Sequence, residues 1–252
     1  MAGSAVAGLS LVSLVVFVAC FSASAFVEND LVDVVEDSRK EENRNPIAAG
    51  LISRKTAVAA FGLLAGASVA ALLFLSPEAI LLGLLALGLY WGYSWGLNLK
   101  AIPVVDVAVH GAVPAIFVLM GAELAGGVGY FASGVALVVF VYAAMSGLLQ
   151  QLRDTDADGS SRRTTAMSLG ASKTVLLCTG LALGGIALFA SLPLAGLLPV
   201  WYLAFLPAAY FIVKPLVELK RSPEGVGKAI VRVRSAGLVI SVLLVATYLV
   251  LA

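Results

Sequence analysis

Long apolar runs constrain this sequence more than any other feature. A helix that crosses a bilayer needs about 20 mostly apolar residues. Eight such runs can be placed, near 4–27, 57–75, 79–97, 103–121, 128–150, 173–193, 198–217 and 231–251. They are rich in Leu, Ala, Val and Gly and show no alternation of period two, so they predict helices and not a barrel. The composition agrees. Hydrophobic residues make up 61% of the chain and charged ones 12%, more apolar surface than a soluble core of this size needs. The expected fold is an all-α integral membrane protein, one transmembrane domain over residues 1–252 with no soluble appendage. A nucleic-acid partner is not expected; the lipid bilayer is.

Charge placement predicts the topology. All sixteen Lys and Arg fall in or beside alternate connections. Arg39, Lys40, Arg44, Arg54 and Lys55 follow the first run, Lys100 the third, and Arg153, Arg162, Arg163 and Lys173 the fifth. Lys214, Lys220, Arg221, Lys228, Arg232 and Arg234 surround the seventh connection. The intervening connections "LSPEA", "GAELAGG" and "LPLAGLLP" carry no basic residue. The positive-inside rule then puts the basic loops in the cytoplasm, in a multi-pass protein of the cell membrane with both ends outside. A cleavable signal at 1–25 is the competing reading, on the strength of "SASAF". Its n-region lacks positive charge, and its removal would reverse the topology that the loops support. Cys20 and Cys178 both lie in apolar runs and read as packing residues.

Against this background the stretch "ENDLVDVVEDSRKEE", residues 28–42, stands out for seven acidic residues in fifteen positions. If the first helix continues through it, Asp30, Asp33 and Asp37 fall on one face, at spacings of three and four. Like charges so placed destabilise a helix by about 0.2–0.5 kcal/mol per pair, so a cation should offset them. Hard oxygen ligands with an amide, Asn29, beside them suit Mg²⁺. A second cluster, "RDTDAD", puts Asp154 and Asp158 at i and i+4. Two such groups could hold Mg²⁺ ions and leave positions open for substrate oxygens. Arg39, Lys40 and Arg44 near the first cluster, and Arg153, Arg162 and Arg163 near the second, supply phosphate-binding cations. Carboxylates for metal beside cations for phosphate are what a diphosphate needs, and the apolar surroundings suggest one with a greasy tail. The competing reading is a pair of solvated charged loops.

These residues carry a resemblance. "NDLVDVVEDSRKEENRNPIAAGLIS" resembles the first aspartate motif, N-D-x-x-D-x-x-x-D, of the UbiA superfamily of membrane prenyltransferases. "LRDTDADGSSRRTTAMSLG" resembles its second motif, and "YSWGLNLKAIPVVDVAVHG" the segment between them. The resemblance implies a bundle of nine helices around a central cavity, and Mg²⁺-dependent transfer of a prenyl group from a prenyl diphosphate to a lipophilic acceptor. By position, Asn29, Asp30, Asp33, Asp37, Asp154 and Asp158 would bind the Mg²⁺–diphosphate. Asp33 and Asp154 are the carboxylates expected to matter most for catalysis. Arg39, Arg44, Lys100 and Arg153 are the implied diphosphate contacts, and Tyr93 would line the cavity near the allylic carbon. The sequence departs from the pattern in having one run, not two, before the first motif, as though the first family helix were missing. Asn45 also stands before Pro46 where an Arg is common, and "YSWGLNLK" lacks the prolines or Arg that often follow the Tyr-Ser.

Trp91 and Trp95 are further candidates to shield a cation, against an equal reading as interfacial aromatics. Asp106 and His110, at i and i+4, read either as an acceptor-site pair or as a structural Asp–His hydrogen bond. The scarcity of interior cations and the "PVVDVAVHG" texture lean toward a neutral, lycopene-type acceptor, with ether-lipid and quinone synthesis as alternatives. A carrier of isoprenoid phosphates, or an inactive relative, is the competing class.

Overall fold

The apolar runs become long helices because, in hydrocarbon, every backbone N–H and C=O must be satisfied within its own segment. The computed structural model describes residues 2–38, 45–158, 163–221 and 225–251, and among these it contains helices and turns and no strand. In chain order they are α1 (Ala2–Val32), α2 (Val34–Asp37), α3 (Arg54–Leu72), α4 (Pro77–Ser94), a 3-10 turn (Leu99–Ala101), α5 (Val105–Leu124), α6 (Tyr130–Asp158), α7 (Thr165–Leu169), α8 (Ala171–Leu194), a 3-10 segment (Val200–Ala209), α9 (Tyr210–Arg221) and α10 (Val226–Leu251).

Among the described residues, six segments are long and apolar enough to cross a bilayer: 8–32, 54–72, 105–124, 130–155, 171–194 and 200–220. The other two predicted runs, 79–97 and 231–251, are occupied by α4 and α10. α4 has only 18 residues, and Glu78, Tyr93 and Ser94 at its ends dilute its apolar character. One predicted run departs from a regular α-helix. Val200–Ala209 winds as a 3-10 segment before α9 begins, with Pro199 just before it and Pro207 inside. Each Pro removes a backbone donor and obstructs the carbonyl a turn earlier.

Helix starts follow local chemistry. Ser53 caps α3 by accepting from the amide of Thr56 at 3.1 Å. Ser76 caps α4 by accepting from Ala79 at 3.3 Å, and Pro77 takes the first helical position, where a missing N–H costs nothing. The helices are apolar all round, so burial sorts residues by size. In α3 the buried positions are Ala57, Ala65, Ser68, Ala71 and Leu72, whereas Val58, Leu63 and Val69 are exposed. Small residues inside and branched ones outside is the pattern of helices that meet each other closely and turn their bulk to lipid.

The chain forms two compact units. The first comprises Met1–Ala101, Ala115–Gly129 and Ala157–Arg162; the second comprises Ile102–Pro114, Tyr130–Asp156 and Arg163–Ala252. In the first, α1 packs chiefly on α3 and also meets α4. Phe17, Phe21, Tyr90 and Phe117 form an aromatic cluster there, with centroids 5.2–6.0 Å apart for Phe21–Phe117 and Phe17–Phe117. In the second, α6, α8, α9 and α10 share a core around Leu148, Cys178, Leu216 and Val233, none of which exposes any surface. Cys178 is thus a core side chain, and Cys20 is half-buried.

Helix α5 approaches α6 closely at Gly111, where an added Cβ would lie 2.8 Å from the backbone oxygen of Phe140. A carbonyl cannot move aside as a flexible side chain would. Gly111→Leu should therefore lower stability by about 1–3 kcal/mol, seen as a reduced Tm in detergent. An unchanged Tm would mean that this approach is looser than the structure has it.

Candidate functional site

Residues 29–38 complete α1 with a bend. α1 ends at Val32 and α2 starts at Val34, but the helical bonding is continuous across the break. The amide of Asp33 donates to Asn29 O at 2.9 Å, that of Asp37 to Asp33 O at 2.8 Å, and that of Ser38 to Val34 O at 3.0 Å. The condition set by the sequence is met: Asp30, Asp33 and Asp37 follow helical spacing on one face. Asp33 is buried and Asp30 and Asp37 are half-buried, while Asn29 is exposed.

A lysine, and not only a metal, can meet this face. Lys100, 7% exposed, donates to Asp33 Oδ1 at 2.6 Å. Lys100 reaches it from the 3-10 turn after α4. Asn45 has a role the sequence did not reveal. Its Nδ2 donates to Asp30 O at 2.8 Å and to Asp37 Oδ2 at 3.0 Å. Its Oδ1 accepts from the amides of Ile47 and Ala48 at 3.0 and 3.2 Å. The residue that stands where an Arg is common therefore ties the turn at Pro46 to the face of the aspartate helix. Its signal was the Asn-Pro pair, which favours turn initiation. Arg39 and Arg44 lie outside the described residues.

In the other unit, Asp154 sits near the end of α6 and is paired with its neighbour. Arg153 Nε and Nη2 donate to the two Asp154 oxygens at 2.7 and 2.9 Å, a bidentate clamp. Asp158 closes α6, and its side chain lies outside the described residues. Among the described residues, no three His, Cys, Asp or Glu side chains converge as a metal cage. The donor set nonetheless fits Mg²⁺, which takes a few carboxylate oxygens and leaves other positions to water and phosphate.

Tyr93 is half-buried and stacks on Tyr90, with centroids 6.5 Å apart. Trp95 packs edge-on to Phe61 at 5.1 Å and, with Leu31, Val35 and Arg54, lines an apolar cleft of about 370 Å³. Trp91 is 37% exposed.

Asp106 is fully buried, and both of its oxygens are engaged by Thr165, the last residue of the Arg163–Thr164–Thr165 (RTT) segment, and by the local backbone. Oδ2 accepts from the amide of Thr165 at 2.8 Å; Oδ1 accepts from the Thr165 hydroxyl and from the amide of Val107 at 2.7 Å. Thr165 Oγ1 also accepts at 2.6 Å from the amide of Val104, whose φ of 72° is unfavourable for a β-branched residue. Asp106 thus fastens α5 to the start of α7. His110 lies 3.4 Å from Gln150 Nε2. Arg234 had no role in the sequence reading beyond topology. It lies within α10, near the start of the eighth predicted run, and its Nε donates to Ser146 of α6 at 3.4 Å.

The sequence profile of the UbiA prenyltransferase family matches residues 1–230. Among characterised proteins, the chain is 28% identical over 225 residues to the Digeranylgeranylglyceryl phosphate synthase of Pyrococcus abyssi, covering 87% of this chain and 77% of the relative. Among solved structures it resembles a UbiA homologue from Aeropyrum pernix K1, with a TM-score of 0.74 at 16% identity over 97% of this chain and 94% of the other. It also resembles a UbiA homologue from Archaeoglobus fulgidus bound to GPP and Mg²⁺, with a TM-score of 0.68 at 17% identity over 92% and 87% of the two chains.

Removing one partner of a buried ion pair costs about 3–5 kcal/mol, because the other charge is left without compensation. Lys100→Met should therefore destabilise strongly, and adding Asp33→Asn should restore most of the loss. A double-mutant cycle by thermal denaturation tests this; additive effects would show that the two side chains are not coupled.

Proposed function

The chain belongs to the UbiA prenyltransferase family, and we propose that it acts, as one domain over residues 1–252, in Mg²⁺-dependent transfer of a prenyl group from an isoprenyl diphosphate to a lipophilic acceptor. The observation that carries this reading is the state of the two motif aspartates. Asp33 is held by Lys100 and Asp154 by Arg153. In both cases a carboxylate suited to a metal is paired with a cation suited to a phosphate. The name of the Pyrococcus abyssi relative and the GPP and Mg²⁺ bound to the Archaeoglobus fulgidus homologue support the same chemistry.

In this reading Asp30, Asp33, Asp37, Asp154 and Asp158 are the Mg²⁺ ligands, with Asn29 beside them. These carboxylates would hold Mg²⁺, which would supply the positive charge that offsets the departing diphosphate. Lys100 and Arg153 turn their N–H donors from carboxylate to phosphate oxygens, joined by Arg39 and Arg44. Once the allylic C–O bond breaks, the cation needs a dry, polarisable wall, and Tyr93 with its neighbour Tyr90 offers aromatic faces for it. The acceptor's electron pair then closes the new bond, and the acceptor gives up a proton. In this reading the aspartate motifs face the cytoplasm, the side that the positive-inside rule gives the basic connections.

For the acceptor, the lean toward a neutral polyene rested on the PVVDVAVHG texture and on a scarcity of interior cations. Lys100 is buried, and Arg234 lies part-way along a helix with a bond to its neighbour. Both weaken that argument, and the relative's name favours an isoprenoid ether-lipid acceptor. His110 and Asp106 remain a proposed acceptor-side pair, with Asp106 acting through the segment it fastens.

Turnover in liposomes tests the reading. Geranylgeranyl diphosphate, Mg²⁺ and a panel of acceptors, including a glyceryl phosphate ether and lycopene, should yield diphosphate and a prenylated product. Asp33→Ala and Asp154→Ala should each lower the rate by about 10²-fold or more, and chelation of Mg²⁺ should abolish it. Full activity in either variant would overturn the assignment; a substrate bound and returned unchanged would identify a carrier instead.

A further inference from the structure

Between the aromatic cluster and the first aspartate motif lies a polar pair that the metal and diphosphate chemistry does not use. Ser10, early in α1, donates to the carbonyl of Phe74, just past the end of α3, so α1 and α3 are antiparallel. The short turn at 73–76 reverses the chain again into α4, which makes α1 and α4 parallel. Their shared face is marked at two levels. Tyr90 Oη donates to Ala25 O at 2.6 Å, and further along Lys100 reaches Asp33 at 2.6 Å. One turn on from the first level, on both helices at once, stand Glu28 and Ser94.

Glu28 is 0% exposed and Ser94 is 7% exposed. Both carboxyl oxygens of Glu28 and the hydroxyl of Ser94 are buried with no hydrogen-bond partner among the described residues. With no exposed surface, the Glu28 carboxyl does not lie on the lipid face. Buried polar groups are nearly always hydrogen-bonded, and an unmade bond costs the desolvation of the group. Two orphans from two helices at one level therefore indicate a place where something else completes the bonds.

We propose that Glu28 and Ser94 form the subsite that binds a hydroxyl group of the prenyl acceptor. The assignment rests on the transferase reading above and narrows its acceptor to an alcohol or phenol. The chemistry of the pair matches a hydroxyl: a carboxyl oxygen accepts its O–H, and the Ser94 hydroxyl donates to its oxygen lone pair. Either protonation state of Glu28 offers an accepting oxygen. A hydrocarbon acceptor such as a polyene would leave three buried polar atoms unsatisfied, and a site built for a hydroxyl rejects the analogue that lacks it.

The test uses the full chain in detergent, with hexadecylglycerol and its di-O-methyl ether as probes, and reads binding by ligand-dependent thermal shift. The wild-type protein should bind the diol about tenfold or more tighter than the ether. Glu28→Leu should erase the preference, Ser94→Ala should reduce it, and Glu28→Gln, which still has an accepting oxygen, should keep most of it. Equal binding of both probes by the wild type would overturn the assignment, as would a preference that survives in Glu28→Leu. Loss of Mg²⁺-dependent donor binding in Glu28→Leu would place Glu28 on the metal and overturn it as well. Should Glu28→Leu fail to fold, Ser94→Ala and Glu28→Gln decide the matter. Absence of turnover with every acceptor would sink the transferase reading, whereas the probe preference is measured without turnover, so the two failures are distinguishable.

Discussion

The constraint on which the rest depends is that a charge or polar group removed from water must find its partner within the protein. The backbone meets it by winding into helices, and side chains meet it by pairing. Lys100 and Asp33 illustrate the strict form. Both are nearly inaccessible, they come from segments 67 residues apart, and they meet at 2.6 Å. Asp106 meets the same demand with hydroxyl and amide donors, and in doing so fixes the RTT segment against α5.

Such pairs do not exist for stability. A buried ion pair returns about what its desolvation costs, and well-packed apolar residues of the same volume often do as well or better. That weighs against packing as the reason for the Lys100–Asp33 contact. Charges kept at that expense make sense where each member has a second partner to take up. A carboxylate can exchange a lysine for a divalent metal, and a lysine can exchange a carboxylate for a phosphate, without either passing through a bare state. The Arg153–Asp154 clamp repeats the arrangement at a more exposed position, where solvent lowers both the cost and the gain.

Much of the fold was legible because hydropathy and helix length are coupled by the thickness of the bilayer. The runs, their order and the helical spacing of Asp30, Asp33 and Asp37 all followed from composition and period. What the sequence hid was contact between distant positions. Asn45 stood out only as the residue before Pro46 where an Arg is common, and its bracketing of Asp30 and Asp37 was not visible. Arg234 counted only toward the charge pattern, and its reach from α10 to Ser146 could not be seen. The 3-10 winding of 200–209 was obscured because its apolar run looks like any other, and only its prolines hint at the departure. Glu28 was visible merely as one acid among seven in that stretch. Its isolation from the others is a matter of which helix face it occupies.

That difference of face separates two kinds of acidic residue within a single stretch. Asp33 and Asp37 have partners that hold them in place: Lys100 in one case, Asn45 in the other. Glu28, five residues before Asp33, lies deeper along the same helix and has no hydrogen-bond partner among the described residues. A carboxylate bound to a cation is ready for exchange with another charged ligand. A buried carboxyl with its bonds unmade is ready for a neutral donor, because a second charge would bring its own desolvation cost. On the reading proposed above, the helix that carries both would supply two recognition chemistries less than two turns apart. On that reading, charge recognition would lie near the helix end, where diphosphate and metal can arrive from water, and hydrogen-bond recognition further in, where a lipophilic molecule can bring a hydroxyl.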